Sequence, residues 1–132
     1  MTTFIDEHGF LRGVPYQDGT LRALVFSGRT IAIAVQSTDD QRHVLELHDV
    51  TALRADEVRE GNIILNMRLL TPKHIVVDPV LSQLVTEQLD WNVSTIPEGA
   101  TLLCLECSYG ANVLALCSSW SVVRGDYALV KS

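Results

Sequence analysis

The chain has 132 residues, 47% of them hydrophobic and 20% charged, and its formal net charge is −6. This length and composition are typical of one packed domain, so we expect a single domain over residues 1–132. The acidic balance, without any run of Lys or Arg, argues against nucleic acid and anionic membranes as partners. The same charge serves solubility or favours a basic protein partner.

The start of the chain shows no targeting pattern. Met1–Phe10 includes Asp6 and Glu7 and lacks the basic start and apolar stretch of a signal peptide. Nowhere does the sequence reach the roughly 18 consecutive apolar residues of a membrane span. The three cysteines are an odd number and fit a reducing compartment better than a disulfide framework. We therefore expect a cytoplasmic protein.

The first predicted elements are three strands between residues 20 and 49. Apolar side chains alternate at Leu21, Ala23, Val25, Ile31, Ile33, Val35, Leu45 and Leu47. Such alternation predicts half-buried strands. A three-residue turn at residues 27–29 places Val25 opposite Ile31 and keeps the apolar set on one face. The next turn places Ile33 opposite Leu45, which completes a three-stranded meander.

The longest predicted strand covers residues 62–70. Its alternation assigns Ile63, Leu65, Met67 and Leu69 to the inner face, and Asn66 and Arg68 to the outer face. Ile64 and Leu70 also fall on the outer face, so we expect another layer to cover part of it.

A change of period after this strand predicts one helix. Asp78 is a good N-cap and Pro79 suits the first helical position. Apolar residues then recur at helical spacing at Leu81, Leu84, Val85, Leu89 and Trp91. The sequence therefore predicts a helix near residues 79–91, followed by a loop over residues 92–99.

The last two predicted strands form a hairpin around Gly110-Ala111. A glycine followed by a small residue suits a type II′ turn. With that turn Cys104 would face Cys117 across the hairpin as a pair of reduced thiols. The same register gathers Leu103, Leu105, Leu114 and Leu116 on one apolar face.

Together these elements predict a mainly β protein of the α+β class. No internal repeat, linker or low-complexity tract interrupts the chain. We expect an antiparallel β-sandwich or open barrel of about six to eight strands, with the helix near residues 79–91 packed on it.

The only spacing that suggests metal or redox chemistry is the C-x-x-C at Cys104–Cys107. Strand residues three apart point to opposite faces, so these two thiols would neither share a metal nor form a disulfide. The histidines at positions 8, 43, 48 and 74 are scattered, and no nucleophile-elbow, Rossmann or P-loop spacing occurs. We therefore expect no catalytic residues, metal or cofactor.

The densest charge cluster lies between two predicted strands, over residues 54–62. Such a run is commonly a solvated connection. The alternative is a recognition loop that presents guanidinium and carboxylate groups on a rigid scaffold. In that interpretation the partner-binding residues are Arg54, Asp56, Glu57, Arg59 and Asn62.

Several short segments carry a resemblance to a known group of proteins. They are Tyr16-Gln17-Asp18-Gly19-Thr20-Leu21, His48-Asp49-Val50, Leu53-Arg54-Ala55-Asp56 and Arg59-Glu60-Gly61-Asn62-Ile63-Ile64-Leu65. Over residues 16 to 70 the chain resembles uncharacterised small bacterial β-proteins, some of them grouped with immunity proteins that neutralise toxins. The resemblance implies a small β-sandwich or open barrel of unknown activity that acts as a stoichiometric binder, and it implies no catalytic residue set.

Three classes of function stay open at this point. The first is a non-catalytic protein-binding module that uses the acidic surface and the 54–62 loop, with self-association as a variant. The second is a small-molecule site of about 300 Å³ or more inside the sandwich or barrel. Such a site would have Asn62, Arg68 or Tyr16 at its mouth. The third and weakest is a metal-dependent enzyme that uses Cys and His.

Overall fold

Two four-stranded antiparallel sheets stack face to face and form a β-sandwich. The computed structural model describes residues 3–14, 16–59 and 61–125. The strands are β1 Phe4–Ile5, β2 Leu11–Arg12, β3 Thr20–Ser27, β4 Thr30–Gln36, β5 Arg42–His48, β6 Ala52–Asp56, β7 Ile64–Leu70, β8 Thr101–Cys107, β9 Asn112–Cys117 and β10 Ser119–Arg124. The helices are α1 Pro72–Val77 and α2 Pro79–Gln88, with 3₁₀ turns at Val93–Thr95 and Ser108–Gly110. This is the predicted α+β class, in its sandwich form.

One bent ribbon joins the two sheets, whose strand orders are β10-β5-β4-β3 and β6-β9-β8-β7. Along the chain β5 leads into β6 and β9 into β10, and the two continuous stretches pair with each other on both sides of the bend. His48 pairs with Ser119 before the bend, and Ala52 pairs with Leu116 after it. Thr51 N donates to Leu116 O at 2.8 Å. The two stretches are therefore paired on both sides of the bend, while at the bend itself Val50 N donates to Arg29 O at 2.8 Å.

The second sheet is buried on both faces. Between the sheets lies a core of Leu21, Ile31, Ile33, Leu45, Leu47, Ile64, Met67, Leu103, Leu105, Val113 and their neighbours. On the opposite face, the helices cover a second layer of Leu70, Ile75, Leu81, Val85, Leu102, Cys104, Leu114 and Leu116. This double burial explains the nearly continuous apolar runs in β8 and β9. It also confirms the predicted cover over the outer side of β7 at Leu70.

The predicted meander is present, but its first hairpin has a different register. Ile33 pairs with Leu45, as predicted. The prediction that Val25 faces Ile31 is wrong, because Val25 pairs with Ala32. A β-bulge at Arg22 shifts the strand by one residue, and the turn has two residues instead of three. The prediction that the side chain of Ala23 faces inward is therefore wrong as well, and Leu24 packs against the core instead.

A second bulge changes which side chains point inward at the start of β7. Ile64 pairs with Cys107 and Asn66 pairs with Glu106, which leaves Leu65 as the extra residue. The prediction that Ile63 and Leu65 face inward is therefore wrong: they are 44% and 46% exposed, and Ile64 is fully buried. Alternation alone does not reveal a bulge, because the extra residue is itself apolar.

The predicted helix begins where the cap signal places it. Asp78 accepts hydrogen bonds from Val80 N at 2.9 Å and Leu81 N at 3.4 Å. Leu81 and Val85 are buried and Leu84 is half-buried. The helix ends at Gln88, three residues earlier than predicted, and the short helix α1 before it was not predicted. No helix within the described residues is long and apolar enough to cross a membrane.

The predicted register of the last hairpin is wrong. Cys104 pairs with Leu114, and Cys117 pairs with Thr101. The turn is a 3₁₀ turn at Ser108–Gly110 rather than a two-residue turn. Consequently Leu103 and Leu105 lie in the core between the sheets, whereas Leu114 and Leu116 lie under the helices. Both faces of β8 and β9 are apolar, so the sequence pattern did not distinguish one register from another.

Candidate functional site

The predicted recognition segment begins on the edge strand β6 and continues into the loop after it. Arg54 Nε lies 2.8 Å from Asp56 Oδ2, and Arg59 Nη2 lies 3.2 Å from Glu57 Oε2. These four charges form two neighbouring ion pairs on the surface. Exposed pairs of this kind contribute little to stability, about 0–1 kcal/mol. They leave the four residues without net charge, so the acidic character of the protein comes from elsewhere. Glu60 lies outside the described residues.

The side chain of Asn62 holds this loop in place through hydrogen bonds on its buried side. Its side chain is only 7% exposed, and its Oδ1 accepts from Arg59 N at 2.5 Å. Its Nδ2 donates to Ser108 O at 3.5 Å. The backbone joins the arrangement, since Leu21 N donates to Asn62 O at 2.8 Å. Asn62 therefore acts on the shape of the loop and presents little surface to a partner.

The loop meets the turn of the last hairpin across a shallow cleft. Ser108 links the two segments: its N donates to Ile63 O at 2.8 Å, and its Oγ accepts from Ile63 N at 3.1 Å. A cleft of about 260 Å³ lies between them, lined by Glu57, Arg59, Gly61, Asn62, Ile63, Ser108 and Tyr109. Three of the five predicted residues, Glu57, Arg59 and Asn62, thus come together here. Arg54 and Asp56 lie on β6 and do not line the cleft.

Tyr109 is the residue of this cleft that the sequence interpretation missed. It is 93% exposed and stands at the tip of the hairpin. Its φ of 60° is in the left-handed region that an aromatic residue seldom adopts. The predicted type II′ turn made Tyr109 an ordinary strand residue. A tyrosine directly before a glycine in a hairpin turn was the available signal.

The three cysteines behave as buried apolar groups. Cys104 packs under the helices and Cys107 between the sheets, which confirms that the two point to opposite faces. Burial raises the pKa of Cys104 to about 12 and that of Cys107 to about 11. Burial likewise raises the pKa of Cys117 to about 11. At neutral pH these thiols are protonated, and a nucleophile requires the thiolate.

The histidines are dispersed as well. His43 is buried, and its pKa is lowered by burial and by the nearby charge of Arg124. His48 Nε2 lies 3.2 Å from Ser121 Oγ on the neighbouring strand, and His74 Nε2 lies 3.0 Å from Glu7 O. Within the described residues, no three His, Cys, Asp or Glu side chains come close enough together to hold a metal ion.

The residues expected at the mouth of a small-molecule cavity have other roles. Tyr16 is buried, and its hydroxyl donates to Met67 O at 3.1 Å. A cleft of about 500 Å³ lies beside it, but Arg12 in its wall already pairs with Asp6 at 2.9 Å. Arg68 lies over the ring of Phe10, with the guanidinium carbon 5.8 Å from the ring centroid.

Comparison with known proteins finds a similar fold in an uncharacterised protein. No family model matches the sequence, and no curated protein matches it. A crystal structure of an uncharacterised protein from Neisseria gonorrhoeae has a similar fold, with a TM-score of 0.51 and 10% sequence identity. The similarity covers 81% of this chain and 91% of that chain. At this level of identity the comparison shows a shared fold, and that fold occurs in a bacterial protein of unknown function.

Proposed function

We propose that this chain is a non-catalytic protein-binding module, comparable in mode of action to the immunity proteins that neutralise toxins. It binds its partner with a surface that we call the tip surface. This surface is formed by the turn at Ser108–Gly110 and by five residues of the loop before β7, namely Glu57, Arg59, Gly61, Asn62 and Ile63. The observation that carries this proposal is the position of Tyr109, which is 93% exposed and lines the same cleft as Arg59.

The tip surface contains residue types that are typical of the centre of a protein–protein interface. Tyrosine and arginine are enriched among the residues that contribute most to binding energy. Ile63, which is 44% exposed, adds apolar area to the same cleft as Tyr109. The ion pair of Arg59 and Glu57 supplies a polar rim that can exchange its internal contact for contacts with a partner.

The tip surface is also held in place before binding. Asn62 and Ser108 fix the loop through hydrogen bonds to the backbone of Arg59 and Ile63. A surface that is already ordered loses less conformational entropy on binding. The net charge of −6 favours a basic partner by long-range attraction, although the ion-paired charges of the tip itself do not determine that choice.

Site-specific photocrosslinking tests the proposal. A photoreactive phenylalanine replaces Tyr109 in one protein and Phe26 in a matched control, because Phe26 is another exposed aromatic residue on a hairpin. Irradiation in cells of the source organism, followed by mass spectrometry, should give one protein adduct at position 109 and none at position 26. The adducted protein, once purified, should bind the unmodified chain one to one and bind Tyr109→Ala at least about tenfold more weakly.

Three outcomes would overturn this function. The first is the absence of any adduct at position 109, and the second is the same set of adducts at both positions. The third is an adduct formed only with a second copy of the chain, which would assign the tip surface to self-association.

A further inference from the structure

A separate cavity of about 350 Å³ lies between the bend of the ribbon and the connection from α2 to β8. That connection contributes Trp91, Pro97 and Ala100 to its lining, and β9 contributes Leu116 and Cys117. We call this cavity the corner pocket. Among the described residues it shares no lining residue with the cleft of the tip surface. Its volume is in the usual range for a small-molecule site.

The lining of the corner pocket is almost wholly apolar. Ala100, Leu116 and Cys117 are buried, and Trp91 and Pro97 add ring surface. The thiol of Cys117 is uncharged at neutral pH, because burial raises its pKa to about 11. The charged and hydroxyl residues that border the pocket are all exposed and form its rim; they are Arg29, Asp49, Thr51 and Ser118.

Hydrogen-bonding groups along the pocket are engaged within the protein. Leu116 O accepts from Thr51 N at 2.8 Å and from Thr51 Oγ1 at 3.3 Å. Ser118 Oγ donates to Asp49 Oδ2 at 3.1 Å. Trp91 Nε1 has no partner among the described residues, but it is buried and offers no contact to a ligand. A polar group that a ligand buried here would therefore lose its hydrogen bonds to water and gain none.

The lining also includes a glycine that the backbone does not require. Gly99 lies in the turn in which Ala100 N donates to Pro97 O at 3.0 Å, and its φ is outside the left-handed region. Within the described residues, a Cβ atom at Gly99 would find no atom within 4 Å apart from its chain neighbours. A larger residue would fit here without strain in the backbone. The sequence therefore leaves space open beside the pocket that a side chain could fill.

We propose that the corner pocket binds a small uncharged aromatic compound of one or two rings. Apolar walls hold water poorly, and a ring that displaces this water is itself removed from water. The rings of Trp91 and Pro97 offer flat surfaces against which an aromatic ring packs well. A carboxylate or an ammonium group is excluded, because it would give up its hydration without finding a partner in the walls.

This site is independent of the tip surface and would persist if Tyr109 had no partner. Titration followed by NMR tests it. The chain has two tryptophans, so protein labelled with ¹⁵N gives two indole N–H signals, which a Trp120→Phe variant assigns. A bound aromatic ring displaces the Trp91 signal through its ring current, without any hydrogen bond. Trp120 lies on β10 outside the pocket and is the internal reference. Toluene and indole are the uncharged probes, and benzoate and benzylammonium are the charged ones.

Toluene and indole should shift the Trp91 signal saturably and leave the Trp120 signal in place. Benzoate and benzylammonium should bind at least about tenfold more weakly than toluene, because each carries a charge on the same ring. A charged analogue that binds as tightly as toluene would overturn the ligand class. The site itself would be overturned if neither uncharged probe shifted Trp91 at millimolar concentration, or if both tryptophans shifted alike.

Two substitutions that narrow the pocket place the ligand. Gly99→Phe and Ala100→Leu each add a side chain to the lining, and each should weaken toluene binding at least about tenfold. Glu98→Phe is the matched control, since Glu98 is exposed, precedes Gly99 and does not line the pocket. It should leave the affinity unchanged. The backbone amide spectrum of each variant verifies that it is folded. Equal affinity for toluene in all three variants would overturn the proposal.

Discussion

The side chain of Asn62 holds the backbone of Arg59, with Asn62 Oδ1 accepting the Arg59 N–H at 2.5 Å. Asn62 is among the few buried polar residues of the described part, and it sits directly beneath a loop rich in charge. The exposed charges of that loop therefore depend for their position on a buried amide.

Replacing Asn62 with Ala should lower the free energy of unfolding by about 1–3 kcal/mol, because it removes the two side-chain hydrogen bonds to Arg59 N and Ser108 O, each worth about 0.5–1.5 kcal/mol. Urea unfolding measures the loss. Asn112→Ala is the matched control, since Asn112 is exposed and its Nδ2 donates to Gly110 O at 3.0 Å within its own turn. An equal cost for the two variants would show that Asn62 does not fasten the loop.

Reversing the charge of each arginine in turn should show which of the two ion pairs of the recognition segment lies in the interface. Arg59→Glu should weaken binding of the partner identified by crosslinking, because Arg59 lines the tip cleft. Arg54→Glu should weaken it less, since Arg54 lies on β6 outside the cleft. Both variants should unfold within about 1 kcal/mol of the parent, as exposed ion pairs contribute little. If Arg54→Glu has the larger effect on affinity, the interface lies along β6.

The helix α2 should show unequal sensitivity at two leucines. Leu81 is buried in the layer beneath the helix, so Leu81→Ala should cost about 2–5 kcal/mol. Leu84 is only partly buried against the same layer, and Leu84→Ala should cost clearly less. Thermal or urea unfolding of both variants is the measurement. A larger loss at Leu84 would mean that the helix is rotated from the described orientation.

Stability should fall in alkaline solution because of the buried thiols. The pKa of Cys104 rises from 9.0 to about 12 in the folded protein, so the folded state retains protons that the unfolded chain releases. This contribution is complete below about pH 9 and is lost as the pH rises from there towards 12. Unfolding midpoints in reductant should decline over that window. Cys104→Ala should make the decline shallower, and an unchanged slope would contradict the assignment.

The thiols should also be protected from reagents and free of metal. The cysteines at 104, 107 and 117 are all free and buried. We expect slow reaction with a thiol reagent in the native protein, and three reactive thiols per chain after denaturation without reductant. Metal analysis of protein purified without chelator should find no stoichiometric zinc. Fewer than three thiols, or one tightly held zinc per chain, would contradict this expectation.

Local signals in the sequence were reliable where one residue determines the backbone. Asp78 followed by Pro79 marked the start of α2, and the alternation of Ile31 and Ile33 against Leu45 fixed the register of β4 and β5. The bulges at Arg22 and Leu65 were not predictable, because inserting one residue leaves the apolar pattern locally intact.

The candidate site was predictable only in part, for a similar reason. Glu57 and Arg59 are neighbours in sequence, so their pairing follows from the chain itself. Ser108 and Tyr109 reach the same cleft through the pairing of β7 with β8. That register could not be read from strands that are apolar on both faces.

The ribbon that runs through both sheets has a consequence for how the protein unfolds. Strands β5 and β9 belong to one ribbon whose backbone pairing is present on both sides of the bend, although the two strands lie in different sheets. Because β5 continues into β6 and β9 into β10, we expect an opening at this edge of one sheet to disturb the pairing in the other. Native-state hydrogen exchange should therefore show Leu45 and Ala115 opening with the same free energy, as parts of one cooperative unit.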